Sequence, residues 1–299
     1  MRTAITLLGA ALALATPGCF AVTDLDRFEP DPAGAGGTGG SDSAGTIPYR
    51  DLRFTVRGMK PHTKHMFQYR VVTDQNIVVS TGRLVPFGPA TKGPMNDPID
   101  TLIEVPGGVP RGAVRLDFYA DLDGTGAYEG VGLLADKKDH AWIIDDLNEP
   151  PPSVGIASPT SIDVTFSHNT EFIDINRDGV AQYIGLDTRI ELTGTSALFG
   201  RLVEVRLINP LNKHTVGLHR FPQLDASNTS LVIEGMVEPE VDYDLEVYAD
   251  LNGDGIYQDP TGPDGDGGWR TTVTATEEGV TASFDLSAPS SASVRFSYP

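Results

Sequence analysis

After residue 48 the apolar and polar positions of this chain alternate one by one, in short runs broken by clusters of Gly, Pro, Asn and Asp. Val114, Leu116, Phe118 and Ala120 alternate with Arg115, Asp117 and Tyr119. Tyr243, Leu245, Val247 and Ala249 alternate in the same way with Asp244, Glu246 and Tyr248. A period of two places successive side chains on opposite faces, so these runs predict half-buried strands. No apolar stripe of helical period extends over three turns beyond the N-terminus. The pattern predicts an all-β protein.

The runs also repeat. VRLDFYADLDGTGAY (114–128) matches YDLEVYADLNGDGIY (243–257) at an offset of 129. Trp142 and Trp269, the two tryptophans, follow the first Asp of these turns by 21 and 19 residues. LRFTVRG (52–58) corresponds to RIELTGT (189–195), MFQYRVV (66–72) to LVEVRLI (202–208), and IDVTFS (162–167) to ASVRFS (292–297). The expected organisation is two tandem antiparallel β-sandwiches of Greek-key or immunoglobulin-like character, over 48–168 and 184–299, joined by an acidic linker at 169–183. A single continuous two-sheet body is the other arrangement open to this pattern.

Composition narrows the function. In 299 residues there are 41 acidic and 22 basic side chains, a formal charge of −19, which works against nucleic acid and anionic membrane surfaces and favours cations. The lone cysteine, Cys19, rules out an intrachain disulfide and a multi-thiolate zinc site.

At the N-terminus, MRTAITLLGAALALATPGCF has one arginine, an apolar run from Ala4 to Ala15, and small residues before Cys19. This is a secretory signal with an apolar stretch too short to span a bilayer. Its end resembles the lipobox of bacterial lipoproteins, departing from it at Thr16 and Pro17. The resemblance implies a signal peptide over 1–18, lipidation of Cys19 and stable anchoring by its acyl chains. Phe20 after the cysteine implies sorting to the outer membrane; ordinary secretion or a periplasmic location is the alternative. Residues 19–47, including DPAGAGGTGGSDSAGT, have too little apolar content to order themselves and read as a flexible tether reaching on the order of 30 Å.

Three phrases carry the candidate chemistry. Asp121, Asp123 and Thr125; Asp174, Asn176 and Asp178; and Asp250, Asn252 and Asp254 each place oxygen side chains at alternate positions of a turn, followed by glycine. They resemble the first half of the calcium loops of EF-hands and dockerins. A hard cation takes six to eight oxygens. The resemblance implies structural Ca²⁺ on those side chains and on the carbonyls of Ala127, Val180 and Ile256. Glu129 is a further ligand of the first site, and Asp259, Asp264 or Asp266 of the third. No bidentate Glu stands at the twelfth position, and Asp, Asn and Gly also favour turns without metal.

Trp142 and Trp269 are possible ligand-stacking platforms or, equally, core anchors. His62 and His65 of HTKH suit a solvated loop better than a zinc site. No nucleophile-elbow, metalloprotease, P-loop or dinucleotide-binding pattern occurs. The reading is a non-enzymatic, membrane-tethered envelope lipoprotein whose two calcium-stiffened domains serve structural or adhesive binding of an unknown protein or glycan. A carbohydrate-binding or enzyme-accessory module and an envelope enzyme are the alternatives.

Overall fold

The computed structural model describes residues 49–85, 101–110, 113–132, 138–145, 147, 161–167, 170–226, 229–253 and 265–287. The expected signal peptide, Cys19, the tether, and the candidate ligands Asp254, Ile256, Asp259 and Asp264 lie outside these residues. The described part is all-β, with no α-helix. Its strands are β1 (Tyr49–Arg57), β2 (Met66–Thr73), β3 (Val78–Leu84), β4 (Thr101–Pro110), β5 (Ala113–Asp121), β6 (His140–Asp145) and β7 (Ser161–Ser167). A second series follows: β8 (Leu186–Thr193), β9 (Val203–Ile208), β10 (Thr215–Phe221), β11 (Ser230–Val237), β12 (Asp242–Ala249), β13 (Gly267–Thr274) and β14 (Val280–Asp285).

The two series pair in the same order. One three-stranded sheet runs β4-β1-β7 and another β11-β8-β14, while the halves β3-β2-β5-β6 and β10-β9-β12-β13 repeat one sequence of neighbours. The duplication seen in the sequence is therefore a duplication of topology. Two features correct the expectation of separate antiparallel sandwiches. β1 and β7, β8 and β14, and β3 and β10 pair in parallel. That last pairing fuses the two four-stranded halves into one eight-stranded sheet. The ladder also corrects one correspondence: β14 lies beside β8 as β7 lies beside β1, so the counterpart of 162–167 is found at 280–285 and not at 292–297.

Register places the two three-stranded sheets. Cross-strand partners share a face. Trp142, Phe118, Tyr69, Gly82, Leu218, Arg206, Glu246 and Arg270 form one row across all eight strands. Its first members pack with Leu52, Phe54, Ile103 and Phe166 of β1, β4 and β7. The row on the opposite face passes through Ala141, Tyr119, Gln68, Arg83, His219, Val205, Val247 and Trp269. Its last members pack with Ile190, Leu231 and Phe284 of β8, β11 and β14. The small sheets thus lie on opposite faces of the large one.

This arrangement covers both faces of the middle strands. Every residue of β9 and β10 is buried, including Glu204, Arg206, His219 and Arg220. Buried charge must be matched by opposite charge and hydrogen bonds. The Glu204 carboxylate accepts from Arg206 at 2.6 Å and from Arg220 Nε. Further donors reach over to β4, Arg206 Nη2 to the Glu104 carbonyl at 3.1 Å and Arg220 Nη1 to the Leu102 carbonyl at 2.9 Å. Burial alone would raise the Glu204 pKa, but the two guanidinium groups outweigh it and hold the carboxyl below its ordinary value. Beside this trio the Tyr69 ring lies over Gly82, where a Cβ would stand 2.3 Å from the ring, so glycine is needed there.

Removing the carboxylate strands two buried cations. Glu204→Ala is expected to cost about 3–5 kcal/mol, read as a lower urea midpoint. A loss under about 1 kcal/mol, the scale of an exposed pair, would contradict this account of the trio.

Candidate metal centre

The acidic turns are positioned by the same register. Asp121 ends β5 opposite Met66 at the head of β2, and Ala249, just before Asp250, ends β12 opposite Val203 at the head of β9. Because β3 and β10 run parallel, β5 and β12 finish at the same end of the large sheet. Five strand spacings separate them, about 24 Å.

In the first turn three carboxylates converge. One oxygen from each of Asp121, Asp123 and Asp139 lies within 4.8 Å of the others. Asp121 and Asp139 are buried, at 3% and 0% exposure, whereas Asp123 is exposed. Asp121 accepts from the backbone N–H groups of Gly124 (2.7 Å) and Gly126 (2.8 Å). Asp139 accepts from Leu122 (3.2 Å) and Glu129 (2.9 Å). These bonds fix the carboxylates and leave them further lone pairs, since an ionised carboxylate offers about four acceptor sites. An all-oxygen donor set of this kind suits a hard cation such as Ca²⁺.

Asp139 has no place in the turn template. It precedes β6 and is brought to the turn by pairing of β5 with β6. Burial, then the negative charges of Asp121 and Asp123, push its pKa up to about 6, against the lowering effect of the two N–H donors. Glu129 reaches the cluster through its N–H and lies exposed. The Thr125 hydroxyl donates to the Ala127 carbonyl at 3.2 Å.

The second copy repeats the scaffold. Asp250 accepts from Gly253 N–H at 2.6 Å, as Asp121 does from Gly124. Asp266 accepts from Leu251 N–H at 2.9 Å, as Asp139 does from Leu122. Asp250 and Asp266 are both buried, and Asn252 is exposed.

The middle phrase is a strap. Ile175 is fully buried against Tyr119, Ala141 and Ile143, and Ile173 N–H donates to the Ala141 carbonyl at 2.8 Å. Asp174 accepts from the Tyr128 hydroxyl at 2.9 Å, and Asp178 pairs with Arg177, which also reaches Asp145 at 2.7 Å. The hairpin residue Asn76 donates to the Asp178 carbonyl at 3.0 Å. Asp174 and Asp178 are exposed, Asn176 is half-buried, and the Val180 side chain faces solvent.

Both tryptophans belong to the interior, which corrects the stacking-platform reading. Trp142 is fully buried among Phe118, Phe166 and Phe172, and Trp269 is 3% exposed in the core of the second copy. His62 turns inward instead of lying in a solvated loop; its Nε2 stands 3.5 Å from Nδ1 of buried His140.

No protein-family model and no curated protein matches the chain. Similar solved structures include the TIE protein of Bacillus anthracis, at 7% identity and a TM-score of 0.22 over 79% of this chain and 34% of that one. A leucine-rich repeat protein from Bacteroides thetaiotaomicron matches at 10% identity and 0.19, over 81% of this chain and 26% of that one. A "putative cell adhesion protein" from Parabacteroides distasonis matches at 12% identity and 0.20, over 85% and 94%. The chain spans about a third of the length of the first of these. At such TM-scores the likeness carries no argument.

The raised pKa of Asp139 has a definite sign. The fold binds this proton more tightly than the unfolded chain does, so its stabilisation is full below the ordinary carboxylate range and is lost as pH rises to about 6. In chelator, the melting temperature of wild type is expected to fall relative to Asp139→Asn between pH 4 and pH 6. Parallel curves for the two proteins across that range would contradict the assignment.

Proposed function

We propose that this protein is a non-enzymatic cell-envelope lipoprotein, tethered through Cys19, whose paired β modules are stiffened by calcium and serve structural or adhesive binding. The observation that carries the calcium part is the convergence of Asp121, Asp123 and Asp139, two of them buried. Their mutual repulsion is relieved by a divalent ion between them. The matching Asp250 and Asp266 scaffold supports a second site of the same design. The anchoring part rests on the signal and on Cys19.

Magnitude favours a structural role over signalling. A site with Kd near 10⁻⁴ M, typical of the tighter extracellular calcium modules, adds only about 1.4 kcal/mol at millimolar calcium. That is enough to order a loop and too little to drive a large switch.

Two measurements check the proposal. Differential scanning calorimetry at 1 mM Ca²⁺ against chelator is expected to show a rise of about 3–6 °C per occupied site. Asp121→Asn should abolish the part due to the first turn, and Asp178→Asn should leave the rise intact. An identical melting temperature with and without calcium would refute the calcium part. For the anchor, radiolabelled palmitate is expected on wild type and absent from Cys19→Ser, which should be released from membranes. Equal processing and release of both proteins would refute it.

A further inference from the structure

We infer that the β3–β10 seam is a self-complementary recognition surface whose partner is a second module of the same kind, held by the surface itself and not by the linker. The inference depends on neither calcium nor the lipid anchor.

Correspondence between the copies follows from the ladders. Gln68 pairs with Arg83 in the first copy, and Glu204 with Arg220 in the second. Across the seam, Arg83 pairs with His219 and Leu84 with Arg220, so each arginine lies diagonally beside its own counterpart. A half-turn about an axis running along the strands, between β3 and β10, with a shift of one residue along it, relates the two copies. Such an axis keeps strand direction, which makes the pairing parallel, and exchanges the two faces, which puts the small sheets on opposite sides. A half-turn about the sheet normal would instead give antiparallel pairing with both small sheets on one face.

Related this way, the copies bring the same strand edge to the seam from both sides, so one patch is used twice. Two exchanges show this here. Arg83 of the first copy reaches Glu234 on β11 at 2.9 Å, and Arg220 of the second reaches the Leu102 carbonyl on β4 at 2.9 Å. Leu218 enters the core of the first copy, and Val78 enters that of the second. Ser80 Oγ and Val85 N–H add hydrogen bonds to the carbonyls of Thr215 and Arg220, each at 2.9 Å. Polar and apolar side-chain contacts thus run in both directions across the ladder, with one ion pair, Arg83–Glu234, among them. A bare linker supplies effective concentration only; here the strap packs on the first copy, and Tyr183 at its end also touches the core of the second.

The test cuts the connection in the folded full chain. A protease site is inserted between Tyr183 and exposed Ile184, so the strap stays with the first copy. After cleavage, light scattering at about 1 μM, the concentration at which a micromolar complex is half dissociated, is expected to show one particle of full mass. Nicked Arg83→Ala, which loses the Glu234 pair on one side only, should dissociate at a concentration about two- to fivefold higher. Separation of the nicked wild-type halves, while the uncut chain stays folded, would overturn the inference. So would nicked Arg83→Ala holding as tightly as wild type.

Discussion

The parallel pairing of β3 with β10, which buries one carboxylate between two arginines, is the constraint on which the rest of the architecture depends. It turns two four-stranded halves into a single sheet and places one three-stranded sheet on each face. The middle strands are consequently covered on both sides, which takes Glu204, Arg206 and Arg220 out of water. Their mutual satisfaction, with the spare guanidinium donors spent on carbonyls of β4, is what makes that burial tolerable. The trio also favours one arrangement of the modules, because a shifted seam would part its guanidinium groups from the β4 carbonyls.

The same pairing sets the geometry of the acidic turns. An antiparallel seam would send β5 and β12 to opposite ends of the sheet. The parallel one brings both turns to one end, with the start of β1 at the other: Tyr49 stacks on His214 and accepts from Asn212 in the hairpin between β9 and β10. In the first turn buried Asp121 at the end of β5 meets Asp139 just before β6, and buried Asp250 and Asp266 hold the matching positions in the second copy. Backbone N–H groups hold both carboxylates of the first turn in place. Local order of this kind lowers the entropy that a cation must overcome on binding.

Much of this was legible in the residues. Period-two alternation gave the strands, and the repeated YADLDG and YADLNG phrases gave the duplication. What stayed hidden has physical causes. Glu204 and Arg206 alternate with Val203, Val205 and Leu207 as a solvent-facing row would, and only the small sheet laid over them makes that row interior. Asp139 escaped because a spacing template sees one turn, whereas this ligand comes from the far side of a loop and is delivered by strand pairing. Parallel seams leave no local signature at all, since the partners lie more than a hundred residues apart. The middle phrase looked like its neighbours in sequence, yet Ile175 between its polar residues is the plug that holds the strap down. Trp142 and Trp269 share a position because both fill a core.

Amide hydrogen exchange along the seam tests the central claim most directly. If β3 and β10 form one continuous sheet, the amides that bond across their ladder exchange only through global unfolding, with protection equal to that of the β2–β5 and β9–β12 ladders. Amides of the β3–β10 ladder that exchange by a separate, low-energy opening, while both halves stay protected, would mean two independent bodies and would contradict the account.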